Sequence, residues 1–554
     1  MEPVRPGLRN GPRSPSRAQS AGLYAGVLLG FGLLYALTAQ RGAAWQDSGE
    51  FQWRIAQGDV KGELGLALSH PLLIVLGRAF AALPFGEEAW RTNLLSAVCG
   101  AVAAANIALL VLRLAPGRPL AAWLAAGFWG LAHTPWWLAT ICESQALLAA
   151  IFTLELNLLL SLVRRPGLMP AAALGLASGL GWTAHNLALL ALPAYGVTVL
   201  WLCARGRLRW WAVPLMIGFW CAGGSMMLAL IATEAARTGL GAAIQSALFG
   251  QSWRGNVLGG SARAVVMGGG YILLNFPNLA LPLAALGLWT MHKSQTPILR
   301  RAFYYLMAAY LLFAIRYTVA DQFMFFLPFY ALVAVAAGIG FARFVYPLRG
   351  APESSFDGGS WEGWLWRTAG RHLPPPVLRL LVVLAMLALG PVLYAVGPGV
   401  WRGLGLPKPG RTDLPFRDPV RYWLTPWKHN EDSARRFVRA AEAQLRDLPP
   451  LPESWRGPRT PLVIADPTSY YPLVWSWNRE VRDSESSEGF DVILDSQATP
   501  QNVPVGSVRV FVVSKSPGYC PEWLTRLADL HKGPHDVLYH VVWFQGTSVP
   551  ASRP

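Results

Sequence analysis

Long apolar runs separated by short polar gaps occupy most of the first 400 residues of the chain. A helix needs roughly 20 residues to cross a bilayer, and eleven runs approach that length. They lie near residues 21–39, 92–112, 119–136, 141–161, 168–184, 187–203, 211–231, 262–290, 302–315, 325–345 and 376–398. The pattern predicts a polytopic α-helical membrane protein with about eleven transmembrane helices.

The pattern changes near residue 400, where the apolar runs become short and resemble strands. Such runs lie at 461–466, 490–495, 508–514 and 537–544, with helical stretches at 431–446 and 521–530. This alternation predicts a small α/β domain. The predicted organisation is a disordered cytoplasmic tail at 1–20, a transmembrane domain at 21–399 with an outer catalytic loop at about 40–90, a linker at 400–415 and a soluble α/β extracytoplasmic domain at 416–554.

Composition supports an integral membrane protein, because 53% of the residues are hydrophobic and only 14% are charged. The net charge of +16 is not arranged as a basic stripe among aromatics, so nucleic acid is not an expected partner. Cysteines at 99, 142, 203, 221 and 520 have no metal-ligand or disulfide-framework spacing. The chain is instead expected to contact membrane lipids.

Basic residues fall in alternate gaps between the apolar runs, as the positive-inside rule predicts for cytoplasmic loops. These gaps hold Arg113, Arg118, Arg164, Arg165, Arg205, Arg207, Arg209, Lys293, Arg300, Arg301, Arg343 and Arg349. The N-terminus is therefore predicted to be cytoplasmic and the C-terminal domain to lie on the outer side. A composition rich in Ala, Gly, Arg and Trp favours a bacterial inner membrane, which would make that side periplasmic.

The segment "WQDSGEFQW" at 45–53 places Asp47 and Glu50 between Trp45 and Trp53 in a long outer loop. Partial burial at headgroup depth can tune a carboxylate for work as a base. Acids and tryptophans are also ordinary in an interfacial loop. Both interpretations remain open on the spacing alone.

Further candidate residues follow in segments that are also predicted to face outwards. They are His70, which begins a short helix extending to Leu83, Glu143 near a span end, His185 at a tight turn, and Arg316, Tyr317, Asp321 and Gln322 before another span. An arginine at a membrane surface is suited to holding a phosphate. An Arg–Asp ion pair that closes the loop explains the last group equally well. A histidine that has only a structural role, with its ring hydrogen-bonded in a helix hairpin, explains His185.

The ordered set of motifs resembles the GT-C superfamily of membrane glycosyltransferases. It is most similar to the branch of lumenal protein O-mannosyltransferases that modify plexin-type domains, with their bacterial relatives. The likeness covers about residues 22–345 and rests on "DSGEF" at Asp47–Phe51, "SHPL" at Ser69–Leu72, Glu143, "GWTAH" at Gly181–His185, and "YTVAD" at Tyr317–Asp321 followed by "FFLPFY" at Phe325–Tyr330. The sequence departs from the branch pattern at Leu72, Leu73 and Ala184.

The resemblance implies an inverting transfer of a sugar from a polyprenyl-phosphate donor to a protein or glycan hydroxyl on the outer face. It implies that Asp47 is the general base, assisted or oriented by Glu50. Arg316, and next His70 or His185, would stabilise the leaving lipid phosphate. Some superfamily members need a divalent metal; the lack of a dense acidic cluster favours a site with no metal or other cofactor.

Two other functions remain open at this point. A transporter or lipid-carrier flippase places charges within its spans, and Glu155 lies within a predicted span. A non-catalytic scaffold would depend on the C-terminal domain for partner binding.

Overall fold

The structure is a computed structural model that describes residues 15–251, 253–345, 375–407, 414–446 and 462–483. It also describes residues 409 and 497 and short strands at 491–494, 510–513, 531–532 and 539–540. The helices are α1 (Arg17–Thr38), α2 (Gln46–Gln57), α3 (Pro71–Ala81), α4 (Glu88–Leu114), α5 (Pro119–Gly130), α6 (His133–Leu138), α7 (Ser144–Arg164), α8 (Leu168–Ala184), α9 (Leu192–Ala204), α10 (Ala212–Gly223), α11 (Ser225–Thr238), α12 (Leu240–Phe249), α13 (Arg254–Leu258), α14 (Ala262–Asn275), α15 (Ala280–Ser294), α16 (Pro297–Arg316), α17 (Leu327–Val345), α18 (Pro375–Gly403), α19 (Pro419–Leu424), α20 (Ser433–Arg446) and α21 (Pro467–Asp483). Short 3-10 helices lie at Leu66–Leu68, Asn186–Ala191 and Gln322–Phe326.

The predicted polytopic helical architecture is confirmed. Among the described residues, seven helices are long and apolar enough to cross a membrane, and two bent helix pairs raise the number to nine. The remaining two predicted spans form shorter helices. The 119–136 run breaks between α5 and α6, and α8 has 17 residues.

Two of the predicted spans are bent rather than straight. The 211–231 run is divided between α10 and α11, whose axes differ by 72°. The 262–290 run is divided between α14 and α15, which differ by 95°. The first break lies at the Gly223–Gly224 pair and the second beside Pro277, residue types that end or kink helices.

Close backbone contacts hold the bundle together at glycines. A methyl group on Gly287 of α15 would collide with the carbonyl oxygen of Ala336 in α17, and one on Gly340 would collide with that of Leu283. Small residues at such contacts let membrane helices approach closely and gain van der Waals packing.

The two ends of the bundle differ in chemistry. The C-termini of α1, α8 and α16 and the N-terminus of α7 lie at one end, which we call the acidic end because Asp47, Glu143 and Asp321 meet there. At the other end, Arg113 donates to the carbonyl oxygen of Asn157 at 2.8 Å, and Arg164 donates to that of Arg113 at 2.9 Å. Arg113 and Arg164 therefore lie at the end opposite to the carboxylates of the pocket.

The segment predicted as an outer loop contains two helices, α2 and α3. The predicted helix from His70 to Leu83 is present as α3, with Pro71 at its first position, where a missing N–H costs little. Asp47 and Glu50, which were predicted to lie in this connection between two spans, both lie on α2. Their spacing of three residues places them on one face of that helix.

The C-terminal part contains a sheet in the order β2-β1-β3-β5-β4, where β1 is Leu462–Ala465, β2 Asp491–Leu494, β3 Val510–Val513, β4 His531–Lys532 and β5 Tyr539–His540. Strand β1 pairs in parallel with β2 and β3, and β5 pairs antiparallel with β3 and β4. The predicted α/β character is confirmed. The predicted helix at 521–530 and the tail up to residue 14 lie outside the described residues. Helix α1 already begins at Arg17, within the predicted tail, and α18 extends to Gly403, within the predicted linker.

Candidate active site

One pocket at the acidic end brings together most of the residues selected from the sequence. It has a volume of about 210 Å³ and lies between α2, the start of α3, the start of α7 and the segments that follow α8 and α16. The predicted residues that line it are Asp47, Glu50, His70, Glu143, His185, Tyr317 and Asp321. Folding therefore assembles one acidic site from five separate segments of the chain.

Helix α2 carries the "DSGEF" segment, and each side chain of that segment has a different neighbour. Asp47 and Glu50 face the pocket. Between them, Ser48 Oγ donates to Glu143 Oε1 at 2.7 Å, which ties α2 to the N-terminus of α7. The ring of Phe51 lies 5.5 Å from the His70 ring in an edge-to-face contact. Gly49 faces away from the pocket, against Tyr471 of α21.

Gln52 fixes the next turn of α2 although its side chain is fully buried. Its Oε1 accepts from the Ala44 amide at 2.9 Å, and its Nε2 lies 3.3 Å from both the Ala89 carbonyl and Asn93 Oδ1. A buried amide with its donors and acceptors paired holds a single arrangement. Helix α2 is therefore a fixed support for the two carboxylates.

Arg54 is a buried cation that connects α2 to the turn before α3. Its guanidinium donates to the carbonyl oxygens of Ser69 at 2.5 Å and Leu68 at 3.1 Å and forms an ion pair with Glu50 at 3.5 Å. The side chain is 4% exposed. It therefore positions both Glu50 and the backbone that presents His70.

The two histidines of the pocket stack on each other, with ring centroids 5.0 Å apart and an interplanar angle of 25°. His70 Nδ1 lies 2.8 Å from the carbonyl oxygen of Ala184 and must donate to it, whereas His185 Nδ1 accepts from the Leu187 amide at 3.0 Å. The proton of a neutral His185 therefore resides on Nε2.

Burial keeps both histidines neutral. It lowers the pKa of His185 to about 4 and lowers the pKa of His70 well below its ordinary value, with further contributions from His185 and Arg54. Neither ring supplies a positive charge at neutral pH. In place of charge, His185 can offer the Nε2–H as a hydrogen-bond donor.

The carboxylates of the pocket differ in their protonation. Burial raises the pKa of Glu50 to about 7, Arg54 opposes this and the charge of Asp47 adds to it. Burial and the charge of Asp47 raise the pKa of Glu143 well above its ordinary value, and the hydrogen bond from Ser48 opposes the rise. Burial thus favours the neutral form of Glu143, while Glu50 changes charge near pH 7.

The segment after α16 forms one wall of the pocket. Of the four residues predicted there, two line the pocket and two do not. Tyr317 and Asp321 line the pocket. Burial, with Asp321 and Asp47, raises the pKa of Tyr317 to about 12, so its hydroxyl keeps its proton. Gln322 does not line the pocket; it is buried and donates to the carbonyl oxygens of Ala264 and Ala314. Arg316 is exposed beside the pocket and donates to Gly259 at 3.4 Å.

The described residues contain no group of three or more His, Cys, Asp and Glu side chains arranged to hold a metal ion. The expectation of a site without a metal stays a prediction.

The fold is similar to that of ArnT from Cupriavidus metallidurans. The structure of ArnT bound to undecaprenyl phosphate matches with a TM-score of 0.55 and 14% sequence identity, over 97% of this chain and 100% of that chain. The apo structure of ArnT matches with a TM-score of 0.53 and 15% identity, over 95% and 98% of the two chains. This chain shares the ArnT fold. No protein-family model and no curated protein matches its sequence.

This likeness to ArnT confirms the predicted GT-C-like fold. The narrower resemblance to the O-mannosyltransferase branch stays a prediction.

Several residues that shape the pocket were not selected from the sequence. Ser48 lies inside the "DSGEF" segment, and its hydrogen bond to Glu143 links residues 95 positions apart. Arg54 follows Glu50 by four residues, a spacing that favours an ion pair on a helix, but recognising it required knowing that α2 is helical. Trp253 also lines the pocket, and its sequence context gave no signal.

Proposed function

We propose that the protein is an inverting GT-C-type glycosyltransferase that transfers a sugar from a polyprenyl-phosphate donor to a protein or glycan hydroxyl. The main support is the pocket itself, in which Asp47, Glu50 and Glu143 meet at one end of an ArnT-like bundle. The structure of ArnT that matches this chain contains undecaprenyl phosphate. A lipid-linked donor of the same class is therefore the substrate to expect.

Asp47 is the proposed general base. It lies in the first turn of α2, where the helix dipole favours a negative charge. Asp47 accepts the proton of the acceptor hydroxyl, whose oxygen forms a bond to the anomeric carbon. The bond from that carbon to the phosphate oxygen breaks at the same time, and its electron pair leaves with the lipid phosphate. Attack opposite to the leaving group inverts the anomeric configuration.

Glu50 and Glu143 prepare the site for Asp47. Burial favours the neutral form of Glu143, which can donate a hydrogen bond, and Ser48 holds its other oxygen in place. Glu50 orients the acceptor or assists Asp47, and Arg54 fixes its position.

Arg316 is the proposed cation for the leaving lipid phosphate, because it is exposed directly beside the pocket-lining Tyr317. The hydroxyl of Tyr317 and the Nε2–H of His185 are neutral donors that can stabilise the phosphate oxygens from inside the pocket. His70 acts indirectly, because its Nδ1 is engaged by Ala184.

The proposed orientation has the N-terminus in the cytoplasm and the acidic end with the C-terminal domain on the periplasmic side of a bacterial inner membrane. The arginine-rich end opposite to the pocket supports this orientation through the positive-inside rule. The resemblance to the O-mannosyltransferase branch makes mannose the first sugar to test.

The experiment that tests this function is incubation of the purified protein with a panel of polyprenyl-phosphate sugars and measurement of the released lipid phosphate. We expect one donor to be consumed with transfer of its sugar. Sugar or ion flux in proteoliposomes with no covalent transfer would instead support the transporter alternative. That alternative depends on Glu155, which accepts a hydrogen bond from Tyr195 at 2.8 Å within the bundle.

A further inference from the structure

A second pocket lies beside the active site, between the segment that follows α2 and the helices α11 and α12. Its volume is about 600 Å³, larger than that of the active-site pocket. The described residues that line it are Lys61, Gly62, Glu63, Gly65, Glu234, Thr238, Ala242, Gln245, Ser246, Gly250 and Gln251. We call it the side pocket.

The side pocket and the active site share two walls. In the first wall, Gly62 and Gly65 face the side pocket, while Leu64 and Leu68 face the active site. In the second wall, Gln251 faces the side pocket and Trp253 faces the active site. The two pockets are therefore neighbours, separated by these two walls.

These walls are held by hydrogen bonds between distant parts of the chain. The Gln251 amide donates to the Leu64 carbonyl at 3.2 Å, and Gln251 Nε2 donates to the Glu63 carbonyl at 2.7 Å. The Leu66 amide donates to Ser246 Oγ at 3.0 Å. Gly65 and Gly250 both have positive φ, and a methyl group on Gly65 would lie 2.8 Å from the Gly250 Cα. The pocket is thus a fixed feature of the fold.

The lining of the side pocket is polar. It contains amide and hydroxyl groups from Thr238, Gln245 and Ser246, and among the described lining residues Ala242 is the only one with an apolar side chain. Such a lining does not suit a lipid chain or the apolar anchors of a bound peptide. It offers the Gln245 amide, the Thr238 oxygen as an acceptor and the Ser246 hydroxyl as a donor, which match the hydroxyl groups of a sugar.

The charges of the side pocket disfavour an anionic ligand. Lys61 Nζ forms an ion pair with Glu234 Oε2 at 2.7 Å, which neutralises both charges, and Glu63 adds one further negative charge. The net negative charge of these three side chains would repel a phosphate group. A neutral or amino-bearing ligand fits this charge.

We propose that the side pocket binds the acceptor and that the acceptor is a carbohydrate, neutral or amino-substituted. This inference rests on the proposed glycosyl transfer and narrows the acceptor from a protein or glycan to a glycan. The acceptor saccharide occupies the side pocket, and one of its hydroxyl groups reaches past the Leu64–Leu68 wall to Asp47.

The test is the binding of defined probes to the full chain in nanodiscs, by saturation-transfer NMR with titration. The probes are maltose, N,N′-diacetylchitobiose and a serine- and threonine-rich peptide. We expect a disaccharide to bind and the peptide not to bind. Thr238→Ala and Gln245→Ala each remove hydrogen-bonding groups and are expected to weaken binding by about three- to tenfold. Ala242→Trp fills the pocket and should abolish binding.

Thr233→Ala is the matched control, because Thr233 is exposed on the same helix and does not line the pocket. Binding of the peptide alone, binding of neither disaccharide, or disaccharide binding that survives Ala242→Trp would overturn the inference. The proposed transfer is tested separately by lipid-phosphate release. If disaccharide binding depends on the side pocket but no donor is consumed, the glycosyl-transfer proposal fails while the carbohydrate site stands.

Discussion

At the scale of single residues, protonation is set by burial rather than by residue type. Glu50 and Glu143 have raised pKa values because both are removed from water and both face the charge of Asp47. His70 and His185 have lowered pKa values for the same reason of burial. Few side chains of the pocket are therefore charged at neutral pH. Each remaining charge interacts more strongly with its neighbours than it would in water.

The raised pKa of Glu50 predicts a pH-dependent effect of Glu50→Gln on stability. The carboxyl has a pKa of 4.5 in the unfolded chain and about 7 in the folded one, so its contribution to stability is present below pH 4.5 and is lost as the pH rises through 7. Glutamine cannot ionise. We expect the stability of the variant relative to the wild type to rise between pH 5 and pH 8, by roughly 3 kcal/mol at most.

The measurement is the thermal midpoint of both proteins in detergent from pH 5 to pH 8.5. Glu88→Gln, in the first turn of α4 and outside the pocket, is the control. A difference between Glu50→Gln and wild type that stays constant over this pH range would contradict the assignment.

At the scale of elements, helix α2 is held from both sides. On one side it packs against α3 and α4. On the other side Trp45, just before α2, enters the core of the C-terminal domain, where its Nε1 donates to Ser433 Oγ at 2.9 Å and its ring lies 5.0 Å from that of Phe437. The C-terminal domain thus positions the helix that carries Asp47.

Gly49 provides the test of this support. An added methyl group would collide with the Ala44 carbonyl and lie 3.2 Å from Tyr471 Cβ, so Gly49→Ala must shift α2 relative to the backbone at Ala44 and tighten its contact with the C-terminal domain. Displacement of a reacting group by about 1 Å can cost roughly a hundredfold in rate. We expect a loss of this size in kcat for lipid-phosphate release, with normal membrane insertion.

Gly30→Ala is the matched control, because a methyl group at Gly30 of α1 meets no atom within 4 Å. It should leave the rate unchanged. Full activity in Gly49→Ala would show that the position of α2 against the C-terminal domain is not needed.

Helix α2 also shows what the sequence could and could not predict at this scale. Its polar residues, among them Gln46, Asp47, Ser48 and Glu50, have the composition of a loop, and its twelve residues are too few for a strong helical pattern. The 95° bend between α14 and α15 had a signal in Pro277, but the apolar run is continuous across it. Apolar periodicity predicts which segments are buried and gives no direction for their axes.

The sequence predicted those site residues that stand out within a short segment of the chain. Asp47, Glu50 and Tyr317 lie in segments whose acids and aromatics differ from their apolar surroundings, and the structure brings these residues together. Ser48 and Arg54 gain their roles from partners that only folding supplies, at Glu143 and at the carbonyls of Leu68 and Ser69. Contacts of this kind have no sequence pattern.

At the scale of the whole molecule, the separation of carboxylates and arginines between the two ends predicts the orientation in the membrane. Ala82→Cys lies at the acidic end after α3, and Lys293→Cys lies at the end of α15; both sites are exposed. In spheroplasts, a membrane-impermeant maleimide should label the first and not the second. Labelling of both should follow permeabilisation. The reverse pattern would place the acidic pocket in the cytoplasm.

The proposed chemistry unites the scales, because an outer pocket, a fixed α2 and an ionised Asp47 are all needed for transfer from a lipid-linked donor. The most direct test is lipid-phosphate release by purified wild type and Asp47→Asn with the same polyprenyl-phosphate sugar. Loss of a general base costs about 10²- to 10⁴-fold in rate. We predict a loss in this range with unchanged binding of undecaprenyl phosphate. Release by Asp47→Asn at the wild-type rate would contradict the account.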